Sequence, residues 1–449
     1  MNVLLAEFAS LMWGPWLLIL LLGTGCWLTF SLKGIQVRQI FYSLRLTFSK
    51  EREGEGDISH FGALMTALAA TVGTGNIAGV SIAVALGGPG AIFWMWLTGL
   101  VGMATKYSEG FLAVKYRQVN LKGEISGGPM YYLEKGLGQK WLAICFALFG
   151  AMAAFGIGNM VQANTTAHAL SRFLGVNSFF VGGVMMLLTA MVIIGGIKRI
   201  ADTASYLVPI MVVIYFLGAL VIILNNLEHL GAGIAMILQD AFTGTAATGG
   251  FAGASLANTI RYGVARGLFS NESGMGSAPI AAAAAKTNQP PKQALVSMAG
   301  TFIDTLVVCS LTALTLSSTG VWISGETGVA LTLQAFSVGL PGLWGNLIVT
   351  IGTVTFAFST ILAWEYYGEK CFEYLFGEKH ILFYRYAWIV FVFVGAQIKL
   401  EMVWNFADAM NALMAVPNLI GLILLSGTLV KGTQSFEKGI REGTIHKFE

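Results

Sequence analysis

The chain has 449 residues, 55% of them apolar and only 11% charged, with a net charge of +3. Soluble domains usually carry about 25% charged residues, so the composition excludes a soluble globular protein. The small positive balance is what basic cytoplasmic loops supply and gives no argument for nucleic acid, and the four dispersed cysteines, without a C-x-x-C pair, exclude a disulfide framework and a thiolate metal site.

Hydrophobic runs of roughly 20 residues recur from one end to the other, each long enough to cross ~30 Å of hydrocarbon as a helix. They are too long for barrel strands and lack their alternation, which predicts an all-α polytopic membrane protein. In chain order the predicted spans are about 11–31, 58–86, 91–113, 141–169, 178–197, 203–225, 263–285, 293–318, 344–367, 383–401 and 405–430, about eleven transmembrane helices. The first run is longer than a signal-peptide core and has neither a basic flank before it nor a small-residue cleavage site, so it is read as a span. Segment 35–49 mixes Arg with Ile, Phe and Leu and is expected to lie along the inner membrane surface. Segment 226–262 is long for a loop; it predicts a short helix followed by an irregular cap over the outer mouth.

Charge gives these spans a direction. Glu7 precedes the first span without any Lys or Arg, whereas Lys33, Arg38, Arg45, Lys50 and Arg52 follow it, which puts the N-terminus outside. Lys115, Arg117, Lys122, Lys135 and Lys140, then Lys198 with Arg199, Lys286 with Lys292, Lys370 with Lys379 and Arg385, and finally Lys431, Lys438, Arg441 and Lys447 fall on the inside in alternation. The outer connections hold little beyond Arg172 and Arg261, with Arg266 and Lys399 close by at span ends. The C-terminus is therefore expected in the cytoplasm.

Two spans are interrupted by polar, glycine-rich sequence. The first carries Thr71-Val72-Gly73-Thr74-Gly75-Asn76-Ile77-Ala78-Gly79 and the second Ser270-Asn271-Glu272-Ser273-Gly274-Met275-Gly276-Ser277-Ala278-Pro279. One such cluster is explained as well by close helix packing. Two in corresponding places are not, because backbone groups freed in lipid cost several kcal/mol each, roughly, unless something binds them. The second lies five predicted spans after the first and so crosses in the opposite sense, the relation expected of an inverted repeat whose broken helices meet at the bilayer midplane. The predicted division is 1–57 as an added N-terminal helix and connector, 58–225 and 263–430 as two five-helix repeats, 226–262 as the outer cap and 431–449 as a cytoplasmic tail.

At these residues the chain resembles the alanine/glycine:cation symporter family, sodium-coupled carriers with a leucine-transporter-like core. The resemblance is carried by Gly56-Asp57-Ile58-Ser59-His60-Phe61, by 63–79 with Thr-Gly-Asn at its centre, by Gly87-Gly88-Pro89-Gly90 running on to Trp96, and by Ala104-Thr105-Lys106-Tyr107-Ser108-Glu109. Further matches are Gly127-Gly128-Pro129-Met130-Tyr131-Tyr132, 267–279, and Phe358-Ser359-Thr360 through Trp364 with Tyr366 to Lys370. It implies sodium-coupled import of small neutral amino acids, alanine or glycine, by alternating access, with Na⁺ as coupling ion, no other cofactor, and a plasma-membrane location, that of a bacterial inner membrane.

A zwitterion needs an anion site and a cation site a few ångströms apart. The first broken span runs inside to outside, so its first half ends in free carbonyls and its second half starts in free amides. The substrate carboxylate is therefore expected against Gly73, Thr74, Gly75 and Asn76, with the Thr74 hydroxyl helping. Carbonyls of Asn271 to Ser273 are expected to accept the ammonium, with Gly274, Met275 and Gly276 lining the pocket and Gln162 as a side-chain partner, or else as a structural Gln between helices. The resemblance places Trp364 and Met275 at the pocket wall and Ser359 with Thr360 at the cation position, where carbonyls of Ala70 and Gly73 complete an oxygen cage. Without the resemblance those hydroxyls are as readily explained by bonds to their own helix carbonyls. One Na⁺ entering through ~100 mV gains ~2.3 kcal/mol and a tenfold gradient adds ~1.4, enough for several-hundred-fold accumulation, roughly.

Glu272 and Asp304 are ionisable residues inside spans and are read as gating, proton or second-cation positions, or as structural acceptors. Lys106 and Glu109, three apart near an inner end, are expected to form an ion pair. Rival readings are a proton-coupled carrier of the same fold, supported by Glu272 and Asp304, a channel, and an intramembrane enzyme. The last is disfavoured by scattered histidines and by the lack of H-E-x-x-H, paired catalytic carboxylates or G-x-S-x-G.

Overall fold

The computed structural model describes residues 2–49, 54–243, 256–398 and 400–445. Among these, six helices are long and apolar enough to cross a membrane: Leu5–Ser31, Lys140–Leu174, Gly196–Asn225, Pro290–Thr319, Trp344–Phe376 and Val403–Leu424. His60–Thr71 and Gly75–Gly87 make a seventh if taken together, bent by 51° at their break. The chain is an all-helical, multi-span membrane protein. Large apolar side chains such as Phe30, Phe41, Phe180 and Phe383 lie exposed on its outer surface, as a lipid-facing surface requires.

The other expected segments are helices of a different kind. Ala91–Lys115 is buried along most of its length and carries Lys106 and Glu109, because it faces protein more than lipid. Ser178–Ile193 and Ile381–Gly395 are shorter than a full crossing, and the seventh segment is split into Leu256–Asn271 and Ala278–Ala283. Ala91–Lys115 packs on both pieces of that split helix and on Pro290–Thr301, so the second break is enclosed by protein.

Both breaks are visible in the backbone. The first helix ends at Thr71, Val72 leaves helical geometry at ψ 85, and the chain resumes as a wide π-type turn over Gly75–Gly79. The second break puts Glu272, Gly274 and Gly276 at φ 54, 89 and 82. Glycine adopts this region freely, whereas a Glu there is uncommon and must be held by its surroundings. Of the further π-type stretches, Ala154–Met160 adjoins Gln162 and Phe302–Cys309 contains Asp304. Such widened turns release carbonyls and commonly mark functional sites.

Several features depart from the sequence expectation. The connection 319–343 contains a helix, Gly328–Gly339, that buries Leu331, Thr332, Ala335 and Phe336. Gln118–Val119 and Ile125–Ser126 pair as a two-stranded antiparallel ribbon. The tail is helical from Ser426 to Arg441, starting ahead of the expected boundary, and is tied down by Tyr107 Oη to Thr433 Oγ1 at 3.0 Å and Arg38 to Glu437 at 3.2 Å. Ile35–Thr47 forms the expected connector helix, with Ser43 donating to the Leu295 carbonyl and Val37 and Phe41 exposed on its other side. Leu227–Thr243 is the short helix expected beyond the sixth span. The irregular cap expected over 243–255 falls, apart from Thr243, outside the described residues, as do Lys50, Arg52, Lys399 and Lys447 of the charge reading.

Candidate functional site

At the first break the chain turns back on its own side chain. Gly73 N–H donates to Asn76 Oδ1 at 2.9 Å, and Asn76 N–H donates to the Gly73 carbonyl at 3.2 Å. Asn76 Nδ2 then donates to Asp304 Oδ1 at 2.7 Å, and Asp304 also accepts Ser270 Oγ at 3.1 Å and Thr305 Oγ1 at 2.8 Å. Asn76 is thus fully occupied as a strut between the first break, the Pro290–Thr319 helix and the last turn before the second break. Thr312 Oγ1 and Thr332 Oγ1 donate to the carbonyls of Asn76 and Ile77, at 2.8 and 3.1 Å. Thr332 lies on the helix the sequence did not foreshadow, and it caps backbone that the break set free.

Thr74 is the residue of this turn with spare capacity. Its hydroxyl is buried without a hydrogen-bond partner among the described residues, and it lines a cavity of about 740 Å³ bounded also by Ala78, Thr165, His168 and Trp404. The Trp404 ring lies 5.5 Å from that of Phe269, which packs beside Gly75. This aromatic pair was not anticipated, since a lone aromatic in an apolar run carries no positional signal.

The oxygen cluster lies on the other side of the same break. Thr360 Oγ1 is 3.1 Å from the Ala69 carbonyl and 3.4 Å from that of Ala70, and Ser359 Oγ is 3.2 Å from the Ala69 carbonyl. Both hydroxyls also donate to the Phe356 carbonyl of their own helix at 2.9 Å, so the local bond and the cross-helix contact coexist. A Cβ placed on Gly73 would be 2.7 Å from Thr360 Oγ1, so glycine is what lets the two helices close here. The structure brings Ala70, Gly73, Ser359 and Thr360 together and adds the carbonyl of Ala69, which backbone chemistry hides from a reading of side chains.

The second break faces elsewhere. Glu272 Oε1 accepts Trp364 Nε1 at 2.9 Å and its Oε2 accepts Ser277 Oγ at 2.5 Å, which pins the left-handed residue and fixes the indole. Trp364 is buried and packs against the helix bearing Gln162, where a Cβ on Gly158 would meet its Cβ at 2.1 Å. Gln162, one turn beyond Gly158 on the same face, donates Nε2 to the Ile157 carbonyl at 2.9 Å and leaves Oε1 buried without a partner among the described residues. Asn271 Oδ1 accepts the Ser273 N–H at 2.9 Å. Met275 is fully buried, whereas Ser273, Gly274 and Gly276 point away from the first break: Ser273 toward Gly102 and Thr301, Gly274 toward Leu21 and Leu419, and Gly276 toward Phe146 and Pro129. The first break itself touches Phe269 and Ser270.

The expected Lys106–Glu109 ion pair is replaced by a longer-range contact. Glu109 Oε1 accepts the amides of Gly274 and Gly276 at 3.2 and 3.0 Å and Asn418 Nδ2 at 2.8 Å. Lys106 Nζ has no hydrogen-bond partner among the described residues. Amides released by a break in a buried helix need an acceptor, and charge-assisted bonds to two of them outweigh a neighbour three residues away.

The whole chain, residues 1–449, matches the sequence pattern of the sodium:alanine symporter family. It is similar to the sodium/alanine symporter AgcS of Methanococcus maripaludis, 54% identical over 96% of both chains. It is also similar to the probable sodium/glutamine symporter GlnT of Bacillus subtilis, 38% identical over 97% of this chain and 90% of that one. In fold it resembles the crystal structure of MhsT in complex with L-phenylalanine, with a TM-score of 0.59 and 15% identity over 84% of this chain and 90% of that one.

Proposed function

The chain belongs to the sodium:alanine symporter family, and from that premise we propose how its two interrupted helices divide the work of binding amino acid and sodium. It is a sodium-coupled amino acid symporter of the membrane, a transporter and not an enzyme. The cargo we assign is a small neutral amino acid, alanine or glycine, in keeping with the sodium/alanine symporter it resembles.

In this reading Na⁺ sits among the Ser359 and Thr360 hydroxyls and the carbonyls of Ala69, Ala70 and Gly73, a set of small neutral oxygens suited to a hard cation. The observation that carries the reading is the approach of Thr360 Oγ1 to both alanine carbonyls across a glycine that leaves no room for a side chain. The substrate carboxylate lies against the turn 73–76 and the Thr74 hydroxyl, and Asn76 shapes that turn through Gly73 and Asp304. The ammonium reaches Gln162 Oε1, which has no partner among the described residues, and Trp364 forms the wall that limits cargo size, whereas the amides of Ser273, Gly274 and Gly276, expected at the pocket, are taken by Asn271 and Glu109. Glu272 and Asp304 take gating and cation roles. Thr74 opens this site onto the cavity of about 740 Å³, which is the outer vestibule, and Trp404, packed against Phe269, lines that cavity.

Around this site we place about eleven spans as an added N-terminal helix and two inverted five-helix repeats, 58–225 and 263–430, with 226–262 outside and 431–449 as a cytoplasmic tail. The two breaks and the alternation of basic loops support that division and an orientation with the N-terminus outside, in a bacterial inner membrane. Calorimetric titration of the purified protein with a panel of small amino acids tests the assignment. Alanine or glycine should bind in Na⁺ and lose measurable heat in choline; binding of equal strength without Na⁺ would overturn it.

A further inference from the structure

A small cavity of about 20 Å³ lies between Ala67 and Thr71, the Lys106–Gly110 turn, Asn271 and the Ser297–Thr301 turn. Three of the residues that line it each carry a polar atom with no partner among the described residues: Lys106 Nζ, Glu109 Oε2 and Asn271 Nδ2. All three residues are buried, at 3%, 0% and 0% exposure. The other ends of two of them are already committed to the second break. Glu109 Oε1 holds the Gly274 and Gly276 amides, and Asn271 Oδ1 holds the Ser273 amide. Lys106 is also the cation within electrostatic reach of Glu109, Glu272 and Asp304.

The chemistry of the lining selects its occupant. An anion would meet the Glu109 carboxylate, and a metal cation would meet the Lys106 ammonium and the Asn271 N–H groups. A neutral molecule that both accepts and donates suits all three, and the volume accommodates one water with the two to four polar partners such a water needs. We propose that an internal water accepts from Lys106 Nζ and Asn271 Nδ2 and donates to Glu109 Oε2, forming a water-mediated ion pair that locks the second break to the Ala91–Lys115 helix. Lys106 is thereby a positioning residue: it acts on the second break at Gly274–Gly276 through the water and Glu109, without touching the amino acid. The bridge also accounts for two residues three apart that do not bond directly.

Two measurements test this. The first is an experimental map of the unmodified protein at a resolution that shows ordered water, which does not depend on the identity of the cargo. Density within hydrogen-bond distance of Lys106 Nζ, Glu109 Oε2 and Asn271 Nδ2 is expected. A dry cavity, or Lys106 in direct contact with Glu109, would overturn the bridge. The second rests on the amino acid reading above and measures alanine affinity in Na⁺ for Lys106→Met, Glu109→Gln and the double variant. Each single change should weaken binding about tenfold, with the double variant no weaker than the worse single one and Lys106→Arg partly restored, because coupled partners are not additive. Losses that multiply in the double variant would overturn the coupling. Water density with no alanine binding in any variant would instead count against the cargo assignment alone.

Discussion

A methyl group on Gly73 would lie 2.7 Å from Thr360 Oγ1, well inside ordinary contact, so Gly73→Ala must push the helices apart at the oxygen cluster. We expect the Na⁺ concentration needed for alanine binding to rise more than tenfold, roughly, and Thr360→Ala, which removes one oxygen without crowding, to raise it about tenfold. Sodium titrations of the binding heat check both, and an unchanged sodium dependence in both would remove the cation assignment. Gln162→Ala should act on the other ligand. Loss of one hydrogen bond to an ammonium is worth about 1.5–3 kcal/mol, so alanine affinity should fall roughly tenfold or more while the apparent sodium affinity stays near that of the unmodified protein. At this scale the sequence is informative about side chains and silent about backbone. Ser359, Thr360 and Gln162 announce themselves as polar residues in apolar helices. The Ala69 carbonyl does not, and neither does the full engagement of Asn76, whose amide points to a ligand until its contacts with Gly73 and Asp304 are seen.

At the scale of elements, the two interruptions are legible because glycine, hydroxyl and amide residues in the middle of a membrane helix contradict every local preference for continuing it. What the second break needs to persist is not legible. Glu272 at φ 54 is held by Trp364 and Ser277, and the Gly274 and Gly276 amides are held by Glu109 from another helix. Local spacing favours a Lys106–Glu109 pair, and only the tertiary fold shows that the carboxylate has a better use. Glu272→Gly separates backbone from side chain, since glycine tolerates the left-handed geometry but releases the indole of Trp364. The variant should fold and reach the membrane yet bind alanine at least tenfold more weakly, roughly. Wild-type affinity would show that the Trp364 contact does not shape the pocket. The helix Gly328–Gly339 escaped notice for a similar reason. It is too short to cross a membrane and sits in a stretch without charge contrast, so its burial of Thr332 against the first break follows from packing alone.

For the whole molecule, composition establishes the membrane class, and the alternation of basic loops supplies an orientation that can be tested residue by residue. In a cysteine-free background, Leu121→Cys, 98% exposed beside the short ribbon, should react with a membrane-impermeant reagent only from the cytoplasmic face, and Glu326→Cys at the rim of the large cavity only from outside. The opposite pattern would invert the topology. The helices Ile35–Thr47 and Ser426–Arg441, joined by Arg38 and Glu437, would then lie together on the cytoplasmic side. In the proposed function a cation held by neutral oxygens at the end of one half-helix stabilises the turn that receives the amino acid. The measurement that reaches this most directly is uptake of labelled alanine into proteoliposomes, with external Na⁺ replaced by choline at fixed pH and membrane potential. Accumulation driven by an inward Na⁺ gradient should collapse to the background of protein-free vesicles in choline, and undiminished uptake in choline would contradict sodium coupling through the Ser359–Thr360 site.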